Sequence, residues 1–449
     1  MLVITGFEDI IALTEFKLKK QINNHSKCYF KALINEKSTS KYLNTIGQAA
    51  DIYFNENKIL AAMVSGVNVI KKFSETYIEV IMYSFSILLD KKKNTRLFQN
   101  PKKTLTSILK GINSFEPGFD IKILDEIIRR KIIRRPIIQN NETDFEFINR
   151  MANENGVYLW LDDISNNHKI IKLYKNFNNN VKIISLEKVI QYKLKKDSLS
   201  EMLEITLQEY IDLEKIIQLE NSKYIITKLE LKKEKEEFLI NYTLKRISNI
   251  VFEKDYENKE VIKLKGKVVD NNDPERLGRI KVDFLDIMEI DNEEKIWIDY
   301  KTLYSNGDKG ILFIPEIGDI VSIEFDGENF IASGSVREKA INKSYENLKD
   351  KYISNSFNKE IIFKEKSLEI QALDNSIKIS DEDISIKVGN SSIVLNKDNV
   401  FIKCNDLIIK LSDEIEIMGK KINIKANEDI TIKSSSDVNI SGQKGINLN

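Results

Sequence analysis

Two cysteines, two histidines and five prolines are spread through 449 residues, and each scarcity removes a class of function. Cys28 and Cys404 lie far apart, so no disulfide framework is expected, and two lone thiols suit a reducing compartment. His25 and His168 are likewise distant in sequence, which leaves no clustered imidazoles for a metal, and both read as surface polar residues. Neither sign of charge prevails: Lys and Arg number 69, as do Asp and Glu. No global field therefore draws the chain to nucleic acid or anionic lipid. A run of eighteen apolar residues is also missing, and the opening MLVITGFEDI has no basic region and carries Glu8 and Asp9. Neither a transmembrane anchor nor a secretory signal peptide is expected. The prolines are Pro101, Pro117, Pro136, Pro274 and Pro315, and none follows Pro315, so the C-terminal part is open to an unbroken hydrogen-bond ladder.

That C-terminal part repeats one small unit. Apolar–x–apolar pairs stand at Leu368–Ile370, Ile377–Ile379, Ile384–Ile386, Ile393–Leu395, Val400–Ile402 and Leu407–Ile409. They continue at Ile415–Ile417, Ile422–Ile424, Ile430–Ile432, Val438–Ile440 and Ile446–Leu448, so that the pairs recur as octads. A period-2 pair is a short strand with one buried face, and a period near eight is strand, turn, strand, turn. The pattern predicts a β-solenoid built by one chain or by several.

Magnitudes favour several chains. Burying two Ile side chains contributes about 3–6 kcal/mol per octad, whereas ordering eight residues costs about 8–16 kcal/mol. A complete ladder, at about 0.5–1.5 kcal/mol per bond, can offset the difference. Three chains wound about one axis supply that ladder and a shared Ile core. A single chain with three octads per coil would have fewer than four coils here.

The upstream chain divides by pattern. Residues 1–95 read as strands, with alternation through Cys28–Ile34 and at Ile78, Val80 and Met82. Apolar residues at 105, 108, 109 and 112 have helical spacing. In Asn141–Leu161, Thr143 and Glu146 form a capping box, Phe145, Ile148 and Ala152 share a helical face, and Gly156 sits at the left-handed C-cap position. Residues 165–255 are strand-like and dense in Lys and Glu. Residues 260–340 read as a small barrel: Asp273, Pro274 and Gly278 mark a turn before the half-buried strand Ile280, Val282, Phe284. Gly318–Asp319 and Asp326–Gly327 bracket another at Val321, Ile323 and Phe325. A polar linker, 341–360, leads to the octads at 361–449.

This order resembles the VgrG-type spike family of type VI secretion systems and contractile phage tails. SFSILLDKKKNTRLFQNPKKTLTSIL, with Arg96 to Gln99, is similar to the family segment in which Arg-x-Phe-Gln precedes a short helix. NETDFEFINRMANENGVYLWL resembles its helix–strand unit, VVDNNDPERLGRIKVDF with GILFIPEIGDIVSIEF its OB-type barrel, and the octads its triple-stranded needle. The resemblance implies a mainly β homotrimer with hub barrels at 1–95 and 96–255, an OB collar at 260–340 and a needle. It would seat on a hexameric tail-tube protein and baseplate proteins, pierce a target envelope and deliver effectors or a tip protein. Assembly in the bacterial cytoplasm and expulsion without a signal peptide follow. The needle core would comprise Leu368, Ile370, Ile377, Ile379, Ile384, Ile386, Ile415, Ile417, Ile422, Ile424, Ile430, Ile432, Val438 and Ile440. Ile446 and Leu448 are candidate tip-docking residues, and Asp273, Pro274, Gly278 and Arg279 form the barrel turn.

No catalytic constellation, cofactor or metal is expected. Nothing marks a nucleophile elbow, and the stretch 341–360 is too short for a hydrolase domain between barrel and needle. Asp162–Asp163 and Asp381–Glu382–Asp383 read as turns. The basic run Arg129–Arg130, Arg134–Arg135 lacks interleaved aromatics, which favours a solvated or subunit-facing strand over nucleic-acid binding. The alternatives are a phage or bacteriocin hub-spike, a trimeric fibre or adhesin, and a carbohydrate-active solenoid, the last disfavoured because the octads hold no Trp or Tyr.

Overall fold

The structure is a computed structural model that describes all residues except 101, 114–117, 134–135, 166–168, 176–180, 197–200, 248–260, 291–294, 308, 328, 338–346, 348 and 447–449. The chain forms two units, Met1–Glu338 and Lys339–Asn449.

In the first unit the alternating segments become one twelve-stranded sheet. Ile78, Val80 and Met82 are fully buried, as are Cys28, Phe30 and Ala32 on the paired strand Lys27–Ile34. Strands from residues 2–84 lie on one side and strands from residues 181–246 on the other. The two groups, expected as separate hub barrels, are joined edge to edge where Ala12–Gln21 pairs antiparallel with Ser222–Glu234. They share one hydrophobic core, in which Leu18 and Phe30 from one group join Leu229 and Leu244 from the other.

Residues 93–174 make a second layer with its own core. The helix Leu105–Asn113 buries Leu105, Ile108, Leu109 and Ile112, the four positions its spacing marks out. The helix Asp144–Glu154 starts on the capping box expected from Thr143 and Glu146, and Gly156 follows it at φ +67°, where a side chain would be strained. Tyr158–Asp162 then pairs with Ile170–Tyr174, which pairs in turn with Asp120–Ile123.

Residues 262–336 form a five-stranded sheet in the spatial order Lys281–Phe284, Ile262–Asp270, Ile320–Phe325, Phe330–Val336, Asp299–Tyr300. Ile280 and Ile298 exchange backbone hydrogen bonds of 3.0 and 2.9 Å, which joins the first and last strands of that order and closes a small barrel. Gly266 is required at its centre: a Cβ there would lie 2.6 Å from Ile323 Cδ1 and 2.9 Å from Val282 Cβ. The barrel attaches to the second layer by a short parallel pairing of Met288–Glu289 with Arg96–Leu97.

The second unit is a seven-stranded antiparallel meander from Lys351–Ser354 to Val400–Lys403. Consecutive octads of the same chain therefore pair with each other. From Cys404 to Ile446 no strand occurs among the described residues.

Candidate functional site

The octad register produces two continuous apolar rows on one face of the meander. Ile361, Ile370, Ile377, Ile386, Ile393 and Ile402 follow one another as direct cross-strand partners. Phe363, Leu368, Ile379, Ile384, Leu395 and Val400 do the same two positions away. Val394 and Phe401, the apolar residues between the pairs, oppose each other on the other face, so the register persists through them. None of the twelve row residues is buried in the single chain: Ile377 and Ile386 remain 39 % and 38 % exposed. A row of this kind is a liability unless something covers it. Farther along, Ile415, Ile417, Ile422, Ile424, Ile430, Ile432, Val438, Ile440 and Ile446 are exposed outside any strand, and Leu448 lies outside the described residues.

The turn before the barrel strand is held by a single carboxylate. Asp273 accepts bonds from the backbone N–H groups of Glu275, Leu277 and Arg279 at 3.1, 2.9 and 3.3 Å. It also accepts from Arg279 Nε at 3.1 Å and Nη2 at 2.8 Å. The Arg279 guanidinium and those N–H groups hold the Asp273 carboxyl well below the usual range. Gly278, at φ +77°, lets the chain fold back, and Pro274 is exposed at the turn. The Asp273 charge is used internally, so the turn is a structural knot.

A buried polar seam in the hub was not foreseen. Lys20 Nζ lies 2.7 Å from Asp163 Oδ1 and 3.0 Å from Asp212 Oδ1, with Lys20 and Asp163 both almost fully buried. Burial alone would lower the Lys20 pKa, but the facing Asp163 and Asp212 carboxylates raise it well above the usual lysine value. Asp163, read from sequence as a turn residue, is thus a core ion-pair partner, and Asp162 pairs with Lys172 at 3.0 Å. The missed signal was Lys20 itself, which falls on the inward register of Phe16, Leu18 and Ile22.

The seam continues: Ser26 Oγ donates to Asp163 at 2.5 Å, Ser26 N–H donates to Ser84 Oγ, and Ser84 contacts Ser86 at 2.8 Å. Ser86 meets His25 Nδ1 at 2.7 Å, and His25 Nε2 lies 2.8 Å from Asp90, whose other oxygen accepts from the cap residue Thr143. Burial would raise the Asp90 pKa, but the bonds from His25 and Thr143 outweigh it and hold it low. His25 is therefore an interior linker packed on Phe145, not a surface residue; His168 lies outside the described residues.

The Arg-x-Phe-Gln segment has a similar joining role. Arg96 Nη1 donates to Asp144 at 2.6 Å and to Gln139 at 3.2 Å, anchoring the first residue of the helix Asp144–Glu154. Gln99 donates to Glu289 of the barrel at 2.9 Å. Arg129 and Arg130, expected in a strand, end the short helix Glu126–Arg129 and pair with Glu126, because Asp125 caps its N-terminus. Arg134 and Arg135 lie outside the described residues.

Two family models match in the order of these parts. The phage tail baseplate hub (GPD) model matches residues 33–179, and the type VI secretion system/phage-baseplate injector OB domain matches residues 264–334. Among solved structures, the E. coli c3393 protein, described as a type VI secretion component with structural similarity to the T4 tail proteins gp27 and gp5, superposes with a TM-score of 0.58 at 14 % identity. That match covers 75 % of this chain and 100 % of the other. A Francisella PdpA–VgrG complex matches with a TM-score of 0.59 at 12 % identity, over 87 % of this chain and 83 % of the other. No curated protein matches the chain significantly. The fold and the two domains together define a hub-spike of a contractile injection system. The chain belongs to the VgrG-type family of spike proteins.

Proposed function

We propose that the protein is the homotrimeric hub and puncturing spike of its injection machine, with the hub docked on a hexameric tail-tube protein and on baseplate proteins. The observation that carries this reading is the pair of exposed apolar rows on the octad sheet, which need a cover that one chain does not supply. Three copies meeting row to row bury them and leave Lys, Glu and Asn outward. Eleven octad layers at about 4.7–4.9 Å each give a shaft of about 50 Å, longer than a membrane core of about 30 Å. Such a shaft has a polar exterior and does not enter lipid unaided, so the thrust comes from the machine. The Francisella VgrG is solved with PdpA, which supports a partner or tip protein carried by the spike here. The chain is proposed to have no hydrolytic activity of its own, so purified protein should release no peptidoglycan fragments or reducing sugar above a buffer control.

Light scattering on the full chain tests the central claim: a trimer of the 52.0 kDa chain is expected. A stable monomer with full β content would return the octads to a single-chain solenoid. A secretion spike is favoured over a phage or bacteriocin one by the OB-domain and c3393 likenesses, and the neighbouring genes decide between them.

A further inference from the structure

The OB barrel carries an arm that its own core does not use. Between Tyr300 and Ile314 the chain leaves the sheet as a small hairpin, Ser305–Asn306 with Lys309–Gly310, closed by Ile311 N–H donating to the Tyr304 carbonyl at 2.9 Å. Every described residue from Lys301 to Phe313 is exposed. The arm is nonetheless apolar: Leu303 is 91 % exposed, Tyr304 54 %, Leu312 73 % and Phe313 61 %. At its base Leu277 and Ile317 extend the same band, since Gly278 lies against Leu312. These six side chains present on the order of 700 Å² of apolar surface, above the 300–600 Å² of the largest patch on an ordinary monomer. A two-stranded hairpin is at best marginally stable in water, so this arm has the composition of an element that rests on another surface.

We infer that the arm packs on the OB barrel of a second copy of this chain. The inference rests on the trimer reading above and names where, outside the octads, the copies hold each other. Two observations choose that occupant. Only fourteen residues, 337–350, separate the last barrel strand from the first strand of the octad unit. Fully extended they reach at most about 50 Å, so joined tails keep the barrels at an effective concentration in the millimolar range. The area available also matches the roughly 800 Å² per partner of a standard stable interface, whereas a brief encounter with passing cargo needs less.

The test places the photo-cross-linking residue p-benzoylphenylalanine at Phe313 in the full chain and irradiates it after light scattering has established the oligomeric state. In a trimer, covalent products at two and three times 52.0 kDa are expected. Trimers that yield no interchain product overturn the arm contact while leaving the trimer intact. Products that form only when tube protein is added assign the arm to the tube and overturn it equally. A monomeric wild type removes the trimer reading, and the arm contact falls with it. As a second readout, the Leu312→Ser/Phe313→Ser variant should raise amide exchange at Tyr304–Ile311 at least tenfold in the trimer; unchanged exchange counts against the contact.

Discussion

Lys20 and Asp163 face each other at 2.7 Å inside the hub although they are far apart in sequence, and a second carboxylate, Asp212, closes on the same ammonium at 3.0 Å. The three residues come from the first strand group, the second layer and the loop beyond Leu207, so this cluster ties together parts that would otherwise meet only through apolar packing. Asp163 adds a backbone tie, its carbonyl accepting from Ala61 N–H at 2.7 Å.

Removing the cation should be costly. Lys20→Met leaves Asp163 buried without its partner and is expected to destabilise the hub by about 3–5 kcal/mol, read by urea unfolding. Lys20→Met with Asp163→Asn should recover a good part of that loss, because the remaining buried group is neutral. A double variant no better than the single one would mean that packing around Lys20, not charge, sets the cost.

The Asp273 knot should be acid-sensitive in a defined direction. Its folded pKa lies below the ordinary carboxylate value, so its contribution is present above about pH 4 and is lost as pH falls through the folded value. Asp273→Asn should therefore lower the melting temperature of the barrel at pH 7, and the gap from wild type should narrow on acidification below about pH 4. A gap independent of pH would show that the turn needs only an acceptor, not a charge.

Faces of the octad strands should respond oppositely to charge. Ile386 lies in an apolar row, whereas Ser385 pairs with Lys378 on the other face. Ile386→Asp is expected to weaken assembly by several kcal/mol per trimer, since three unpaired carboxylates become buried; Ser385→Asp should leave sedimentation unchanged. The same contrast is expected for Ile432→Asp against Thr431→Asp. Equal effects within each pair would reverse the assigned face.

Deleting 361–449 should leave the hub and barrel folded, because their cores contain no residue of that segment. Delivery by the host machine should be abolished. Wild-type killing or secretion by the truncated protein would make the needle dispensable.

Local pattern was legible wherever a residue's role follows from its neighbours in sequence. The capping box at Thr143 and Glu146, the left-handed Gly156 and the buried face at 105, 108, 109 and 112 depend on spacings of a few residues. So do the alternating strands at Ile78–Met82 and Ile280–Phe284 and the octad rows, whose in-register pairing follows from a period near eight. These determined a mainly β chain with a small barrel and a repetitive tail. Tertiary structure alone decided that the two hub halves merge through Ala12–Gln21 and Ser222–Glu234. It also decided that His25 and Asp163 are interior, and that Gln99 reaches Glu289 across most of the intervening chain. The physical reason is that a polar group's burial is fixed by the partners that compensate it, and those partners sit at separations that no local period encodes.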